Sequence, residues 1–228
     1  MRVHIAAACG FCYGVRRAVE LAAQAEAGTH TLGPIIHNPQ LVDSLSEKGV
    51  TPVNSLEEVA DGSRLLIRSH GVGPDVYDEA EKRRLHIVDA TCPHVKKAQQ
   101  DARKVINAKK VLVIIGEKDH PEVISISQWG GNRAIIIDKV EEAEEIPYCE
   151  TMGVVVQTTF SQSRFKQIES VLAGKTGHLD VYMTICAATR QRQEAAVELA
   201  GKVDAMIVIG GRNSANTGRL AQVCAEQG

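Results

Sequence analysis

The 228-residue sequence is poor in aromatic residues, which make up only 4% of it. A core must therefore be assembled from Val, Ile, Leu and Ala. Net charge is nearly absent, at a formal −2, which argues against a nucleic-acid-binding protein. No apolar run approaches the roughly 20 residues of a membrane span, and the opening MRVHIAAACG lacks the apolar length and cleavage site of a signal peptide. A soluble, cytoplasmic protein with no membrane or nucleic-acid partner is the expectation. Neither a Walker A motif nor G-x-G-x-x-G is present, so ATP and dinucleotide binding find little support. Low-complexity tracts and long linkers are missing too.

What the chain does have is six cysteines. In a reducing compartment these are expected to be metal-binding, catalytic or buried thiols rather than disulfides. Three of them, Cys12, Cys92 and Cys186, each follow a strand-like run and open a helix-like run. The alternation continues throughout. Strands are expected at Val3–Ala7, Leu65–Ser69, Ile87–Ala90, Val111–Gly116, Ala134–Asp138, Gly153–Thr159, Leu179–Thr184 and Ala205–Gly210, from their near-continuous apolar runs. Helices are expected at Tyr13–Ala27, Pro93–Ala108, Gln162–Ala173 and Ala188–Lys202, with another beginning at Asn216. The charged stretch Lys139–Glu145 reads as a solvated loop or a short helix face. Apolar strands alternating with helices predict an α/β fold with parallel sheets covered on both faces.

Polar residues collect where the strands end, and in open parallel sheets that edge binds ligands. The spacing repeats. His37 lies 25 residues beyond Cys12, His120 lies 28 beyond Cys92, and Ser214 lies 28 beyond Cys186. His70 and Thr158 follow their cysteines at 58 and 66 residues. Three similar α/β units are therefore expected, over residues 1–91, 92–184 and 185–228. By the same offset of about 60 the third would supply its second polar residue at about position 245–250. The third unit is expected to be incomplete.

Three thiolates at equivalent places suggest a shared iron–sulfur cluster with one iron left open to substrate. Zinc fits less well, because structural sites want four ligands at close pairwise spacing. Each cysteine alone could instead be a buried structural thiol. Cys9-Gly10-Phe11-Cys12 leaves a rival open, since a C-x-x-C between strand and helix is also the thioredoxin context. A non-enzymatic iron–sulfur sensor is a third reading. Cys149 and Cys224 lack any motif. His37, His70 and His120, with Ser214, Asn216 and helix N-termini, could bind a diphosphate through hydrogen bonds without a Lys/Arg clamp. Glu122 is the best general-acid candidate, because a carboxyl group kept from water can hold its proton near neutral pH. Thr158 could hold a hydroxyl; both it and Thr159 could equally be ordinary strand residues.

Several segments carry a family resemblance: Gly10-Phe11-Cys12-Tyr13-Gly14-Val15, His37-Asn38, Ser69-His70-Gly71-Val72, Asp89-Ala90-Thr91-Cys92-Pro93, His120-Pro121-Glu122, Gln157-Thr158-Thr159, Asn213-Ser214-x-Asn216 and Arg219-Leu220. In order along the whole chain, they resemble the LytB family of 4-hydroxy-3-methylbut-2-enyl diphosphate reductases. The resemblance implies three α/β units in a trefoil around a central [4Fe–4S] cluster. The implied reaction is the last step of the methylerythritol phosphate route to isoprenoids, yielding isopentenyl and dimethylallyl diphosphates. By the same resemblance Cys12, Cys92 and Cys186 are the cluster ligands, leaving one iron open. His37, His70, Ser214 and Asn216 hold the diphosphate, with His120 beside it. Thr159 and Ala215 fall on the substrate side as well, although Ala215 stands where the family usually has a second Ser. Glu122 delivers protons, Thr158 positions the leaving hydroxyl, and ferredoxin or flavodoxin supplies electrons. The family's later Gly-Ala-Ser segment is absent, so the cluster is expected to form while turnover is expected to be low.

Overall fold

The computed structural model describes residues 2–227. Two four-stranded sheets organise the chain. The first contains β1 (Thr29–Leu32), β2 (Val50–Val53), β3 (Arg64–Ile67) and β4 (His86–Asp89) in the order β2-β1-β3-β4. The second contains β5 (Val111–Ile115), β6 (Ile135–Ile137), β7 (Cys149–Val156) and β8 (Thr176–Tyr182) in the order β6-β5-β7-β8. Every pairing is parallel, and both sheets share one strand order. The α/β reading with parallel sheets and a repeated unit therefore holds.

Helices cover both faces of each sheet: α1 (Tyr13–Ala23), α2 (Pro39–Ser46) and α3 (Pro74–Lys82) on the first, and α4 (Pro93–Asn107), α5 (Pro121–Trp129), α6 (Val140–Glu144) and α7 (Gln162–Ala173) on the second. Proline opens α2, α3, α4 and α5. There its missing N–H costs nothing and its fixed φ suits the helix. Leu65 and Ile67 face α3 while Leu66 faces α1 and α2, all fully buried. In the second sheet Val113 and Ile115 pack toward α7, and Leu112 and Ile114 toward α4 and α5. Aliphatic side chains thus supply most of both cores, as the shortage of aromatics requires.

One backbone is packed too closely to carry a side chain. A Cβ on Gly153, in the middle of β7, would sit 2.6 Å from Val105 Cγ1 on α4, and closer still to Cγ2. Gly153→Ala is expected to cost about 1–3 kcal/mol through overpacking, read as a lower denaturation midpoint at unchanged slope.

After β8 the chain forms α8 (Ala187–Ala200) and α9 (Ala215–Ala225), which pack on each other through Ala196, Val223 and Cys224. Arg219 anchors α9 to the second unit: its guanidinium lies 5.0 Å from the Phe160 ring centroid and 3.6 Å from a Glu117 oxygen.

Two strand expectations fail. Val3–Ala7 and Ala205–Gly210 are unpaired, and Val3, Ile5, Ile207 and Ile209 are largely exposed. Their apolar runs suit a strand, but among the described residues neither has a neighbour to bond to. Conversely, β1 and β2 were missed because they are short and mixed. Pro52 is tolerated in β2 because that strand lies at the sheet edge. No helix among the described residues is long and apolar enough to cross a membrane.

Candidate active site

The carboxyl ends of both sheets converge on one polar cluster. In the first unit, Ser69 donates from its N–H (3.2 Å) and its hydroxyl (3.0 Å) to the Ile35 carbonyl. That ties the loop after β1, which carries His37, to the loop after β3, which carries His70. Gly71 follows with φ +72°, and a Cβ there would lie 3.0 Å from Thr91 Cγ2 and nearer still to the Gln99 amide. Glycine is needed both for the left-handed turn and for that close approach.

The second unit brings His120, the N-cap of α5. His37 and His70 have ring centroids 4.3 Å apart, and His120 lies 5.5 Å and 5.4 Å from them. His120 Nδ1 accepts from the Glu122 N–H at 3.2 Å, which fixes the neutral tautomer with its proton on Nε2. Both ring nitrogens of His37 and Nδ1 of His70 are buried without a partner. Burial, followed by mutual repulsion and a nearby Arg68, holds the His70 pKa well below its ordinary value. Burial, His37 and Arg68 together bring His120 down to about 4. Burial and then Arg68 also lower His37. The three rings are therefore neutral donor–acceptors around a space for a ligand.

Ligand atoms of this trio lie within 4.8 Å of one another, close enough to hold a metal ion. The positive charge of Arg68, felt by all three rings, opposes a dication and favours an anion. The cluster borders a cavity of about 490 Å³ lined by His37, His120, Lys118 and Asn213 and also by the carboxylates Glu117, Asp119, Asp138 and Glu142. A Cβ on Gly211 would lie 2.6 Å from the His37 carbonyl oxygen, so the loop before α9 closes directly over His37. Ser214 caps α9 by accepting from the Thr217 N–H at 3.3 Å. Ala215 and Asn216 form the first turn of that helix.

Glu122 lies inside this site, only 2% exposed. Its Oε1 accepts from the Thr158 N–H at 2.6 Å, and its Oε2 lies 2.9 Å from the Thr158 hydroxyl. Those bonds favour the carboxylate, but desolvation is the larger effect and pushes the pKa up to about 7. Thr159 Oγ1 accepts from the Gln157 amide at 3.0 Å.

The three cysteines occupy matching places. Cys12, Cys92 and Cys186 are the N-caps of α1, α4 and α8. Each sulfur thus sits at the positive end of a helix dipole, which stabilises a thiolate or an anionic cluster. Cys92 N–H donates to the Ser69 carbonyl at 2.9 Å, and Cys186 N–H to the Thr158 carbonyl at 3.1 Å. These bonds put Cys92 just behind His70 and Cys186 beside Thr158. A Cβ on Gly14 would lie 2.5 Å from Cys92 Sγ, so α1 approaches Cys92 only because residue 14 has no side chain. Burial chiefly raises the Cys92 pKa, and the proximity of Cys12 and Glu122 adds to it, while the His94 and Val95 N–H groups pull the other way. Cys186 Sγ accepts from the Thr189 N–H at 3.3 Å. Backbone donors to sulfur and a helix end behind each thiol suit a polynuclear iron–sulfur group. A single ion fits less well, because the three sulfurs form no close ligand group among the described residues. Cys9, by contrast, is exposed and lies in the irregular segment before α1.

Two participants escaped the sequence reading. Ser125 Oγ lies 3.0 Å from the His70 carbonyl, 2.9 Å from that of Glu122 and 3.2 Å from the Gln99 amide, joining the two units behind the histidines. Arg68 is the other, a partly buried cation whose charge acts on all three imidazoles. Its position directly before Ser69-His70-Gly71, at the end of an apolar strand, was the available signal.

A family model described as LytB protein matches residues 3–228. A curated 4-hydroxy-3-methylbut-2-enyl diphosphate reductase from Pelobacter propionicus is 46% identical over 229 residues, covering 99% of this chain and 81% of that protein. One from Caldanaerobacter subterraneus is 44% identical, covering 98% and 80%. Among solved structures, the E-1-hydroxy-2-methyl-but-2-enyl-4-diphosphate reductase from Plasmodium falciparum superposes with a TM-score of 0.90 at 28% identity, covering 96% of this chain and 71% of that one. A second structure, of (E)-4-hydroxy-3-methyl-but-2-enyl diphosphate reductase, the terminal enzyme of the non-mevalonate pathway, gives 0.74 at 39% identity, covering 99% and 82%.

Proposed function

Because the chain belongs to the LytB family, we propose that it is a 4-hydroxy-3-methylbut-2-enyl diphosphate reductase. Two electrons and two protons remove the allylic hydroxyl as water and leave isopentenyl or dimethylallyl diphosphate. What supports this reading is the combination of three thiols that each cap a helix N-terminus, a buried carboxyl group of raised pKa and a partnerless histidine cluster at the carboxyl ends of the two sheets.

Cys12, Cys92 and Cys186 would hold a [4Fe–4S] cluster with one iron free of protein ligands, which when bound supplies the electrons one at a time. The remaining residues have separable tasks. His37 and His70 present unpartnered nitrogens to the diphosphate, and His120 offers its Nε2 proton. Ser214 and Asn216 bring the start of α9 to the same space, where its N–H groups favour an anion; Ala215 contributes backbone only. Glu122 holds the proton on Oε2. Thr158 Oγ1 then accepts from Glu122 across the 2.9 Å bond and turns its own hydrogen toward the substrate hydroxyl, relaying the proton. Thr159 falls on the substrate side in this reading and also holds the Gln157 amide. Ferredoxin or flavodoxin is the electron donor in this reading, and the protein works in the cytoplasm. The unit boundaries at 1–91, 92–184 and 185–228 belong to the same proposal, supported by the two sheets of equal strand order.

The rival readings lack such support. A thioredoxin-like pair at Cys9 and Cys12 leaves Cys92 and Cys186 without a task, and a substrate-free sensor leaves Glu122 and the histidines without one.

The test is a single-turnover reaction. Anaerobically reconstituted protein, reduced chemically, is mixed with stoichiometric 4-hydroxy-3-methylbut-2-enyl diphosphate and the products are counted by mass spectrometry. Both isomers should appear, and only in the cluster-loaded sample. Unchanged substrate in the presence of intact, reduced cluster would sink the reading.

A further inference from the structure

His70 sits on a loop of the first unit, and Glu122 on a helix of the second. A single hydroxyl ties them together. Ser125 Oγ, on α5, lies 3.0 Å from the His70 carbonyl and 2.9 Å from the Glu122 carbonyl. The Gln99 amide, on α4, donates to the same oxygen at 3.2 Å, which leaves the Ser125 hydrogen for those carbonyls. Among the described residues no backbone N–H reaches the His70 carbonyl. Ser125 and Gln99 are both buried, and neither lines the cavity beside the histidines. A buried hydroxyl is costly unless it is bonded, and this one bonds only to residues of the site and to the amide that orients it.

The same face of α5 continues the hold. Glu122, Ser125 and Trp129 stand at i, i+3 and i+7 along it. Trp129 Nε1 donates to the Val72 carbonyl at 2.9 Å. Between His70 and Val72, the Gln99 amide occupies the space that a Cβ on Gly71 would need. One helix face therefore carries the proton donor in its first turn and then grips the loop that carries His70.

We propose that Ser125, oriented by Gln99, is a positioning residue for the reaction: it holds the His70 imidazole in register with the Glu122–Thr158 pair. The inference rests on reading this site as that of the diphosphate reductase. A substrate held at one end by His70 and protonated at the other through Thr158 reacts only while the two ends keep their separation. A misplacement of about 1 Å costs on the order of 10²-fold in rate. Ser125→Ala removes the tie and leaves both ends in place, so substrate still binds while the register relaxes. The loss then falls on kcat rather than on KM.

The test compares wild type, Ser125→Ala, Gln99→Met, Glu122→Gln and the Ser125→Ala/Glu122→Gln double variant, with iron content and melting temperature measured on each. Rates are expressed per intact cluster, and affinity for inorganic diphosphate is read by calorimetry. Ser125→Ala should lower kcat roughly 10- to 100-fold, with KM and inorganic-diphosphate affinity changed less than about threefold. Gln99→Met packs similarly but cannot donate, and should repeat the kcat loss in weaker form; it carries the test if Ser125→Ala folds poorly. In the Glu122→Gln background Ser125→Ala should cost almost nothing further, because register matters only for a proton that is still delivered. A merely structural serine would lower the melting temperature and the iron content and leave the rate per cluster unchanged; that pattern overturns the assignment. A fully additive loss in the double variant overturns it too. Wild-type protein that leaves substrate unchanged with its reduced cluster intact overturns the reductase reading itself, and this inference with it.

Discussion

Glu122→Gln is expected to lower kcat roughly 10²- to 10⁴-fold, the usual worth of a positioned proton donor, with iron and sulfide content unchanged. The amide is nearly isosteric and can still accept from the Thr158 N–H. It cannot give up a proton to Thr158 Oγ1. Selectivity for this one step follows from the geometry: both carboxyl oxygens are occupied by Thr158, at 2.6 Å and 2.9 Å, and almost none of the side chain meets water. The pH dependence has a definite sign. Burial raises the Glu122 pKa to about 7, so the protonated, donating form prevails below that value and kcat should fall as pH rises through it. Stability should follow the same direction. The folded protein holds this proton more tightly than the unfolded chain, where the group has its ordinary value of 4.5. The resulting contribution is complete below that value and is lost as pH rises through about 7. In Glu122→Gln both this limb of the rate profile and this part of the stability profile should vanish. A Glu122→Gln variant that retains wild-type kcat would remove the carboxyl group from the proton path.

How much of this could be read beforehand depended on the kind of signal. Strands such as Val111–Ile115 carry their burial in composition, because a parallel strand covered on both faces must be apolar throughout. The polar residues that end such strands then mark the ligand edge, which is why His70, His120 and Thr158 were legible. Val3–Ala7 and Ala205–Gly210 have the same composition and no partner strand; an apolar run states a capacity to pair, while pairing needs a neighbour. In the opposite sense, β1 and β2 are only four residues long; THTL and VTPV have strand-favouring Thr and Val but no continuous apolar run, and β1 is held between β2 and β3. The burial of Arg68 was invisible for a related reason. Arg68 reads as a surface cation until the turn at Gly33 and the His37 loop enclose it. The capping role of the three cysteines, by contrast, was implied by their position between strand and helix, and the structure places each at the N-cap.

Cys186→Ser is expected to strip the iron centre from the protein, and Cys12→Ser and Cys92→Ser to do the same, whereas Cys9→Ser should leave it in place. Loss of one of three thiolates is severe because a cluster held by three has no spare ligand, and serine is a poor donor to iron–sulfur groups. The structure separates the four cases without reference to motif. Cys12, Cys92 and Cys186 each stand at a helix N-terminus; Cys92 senses Cys12 and Glu122, and Cys186 is bonded to the Thr158 backbone. Cys9 is exposed on an irregular segment and caps nothing. The measurement is iron and acid-labile sulfide per chain after anaerobic reconstitution. Wild type and Cys9→Ser should hold about four of each, and the three ligand variants well under half of that. The Cys9 comparison decides between the chemistries. A disulfide oxidoreductase built on Cys9 and Cys12 would lose its function in Cys9→Ser and tolerate Cys186→Ser. An iron–sulfur reductase must show the reverse, because its three thiolates come from three separate helices and only together close around one centre.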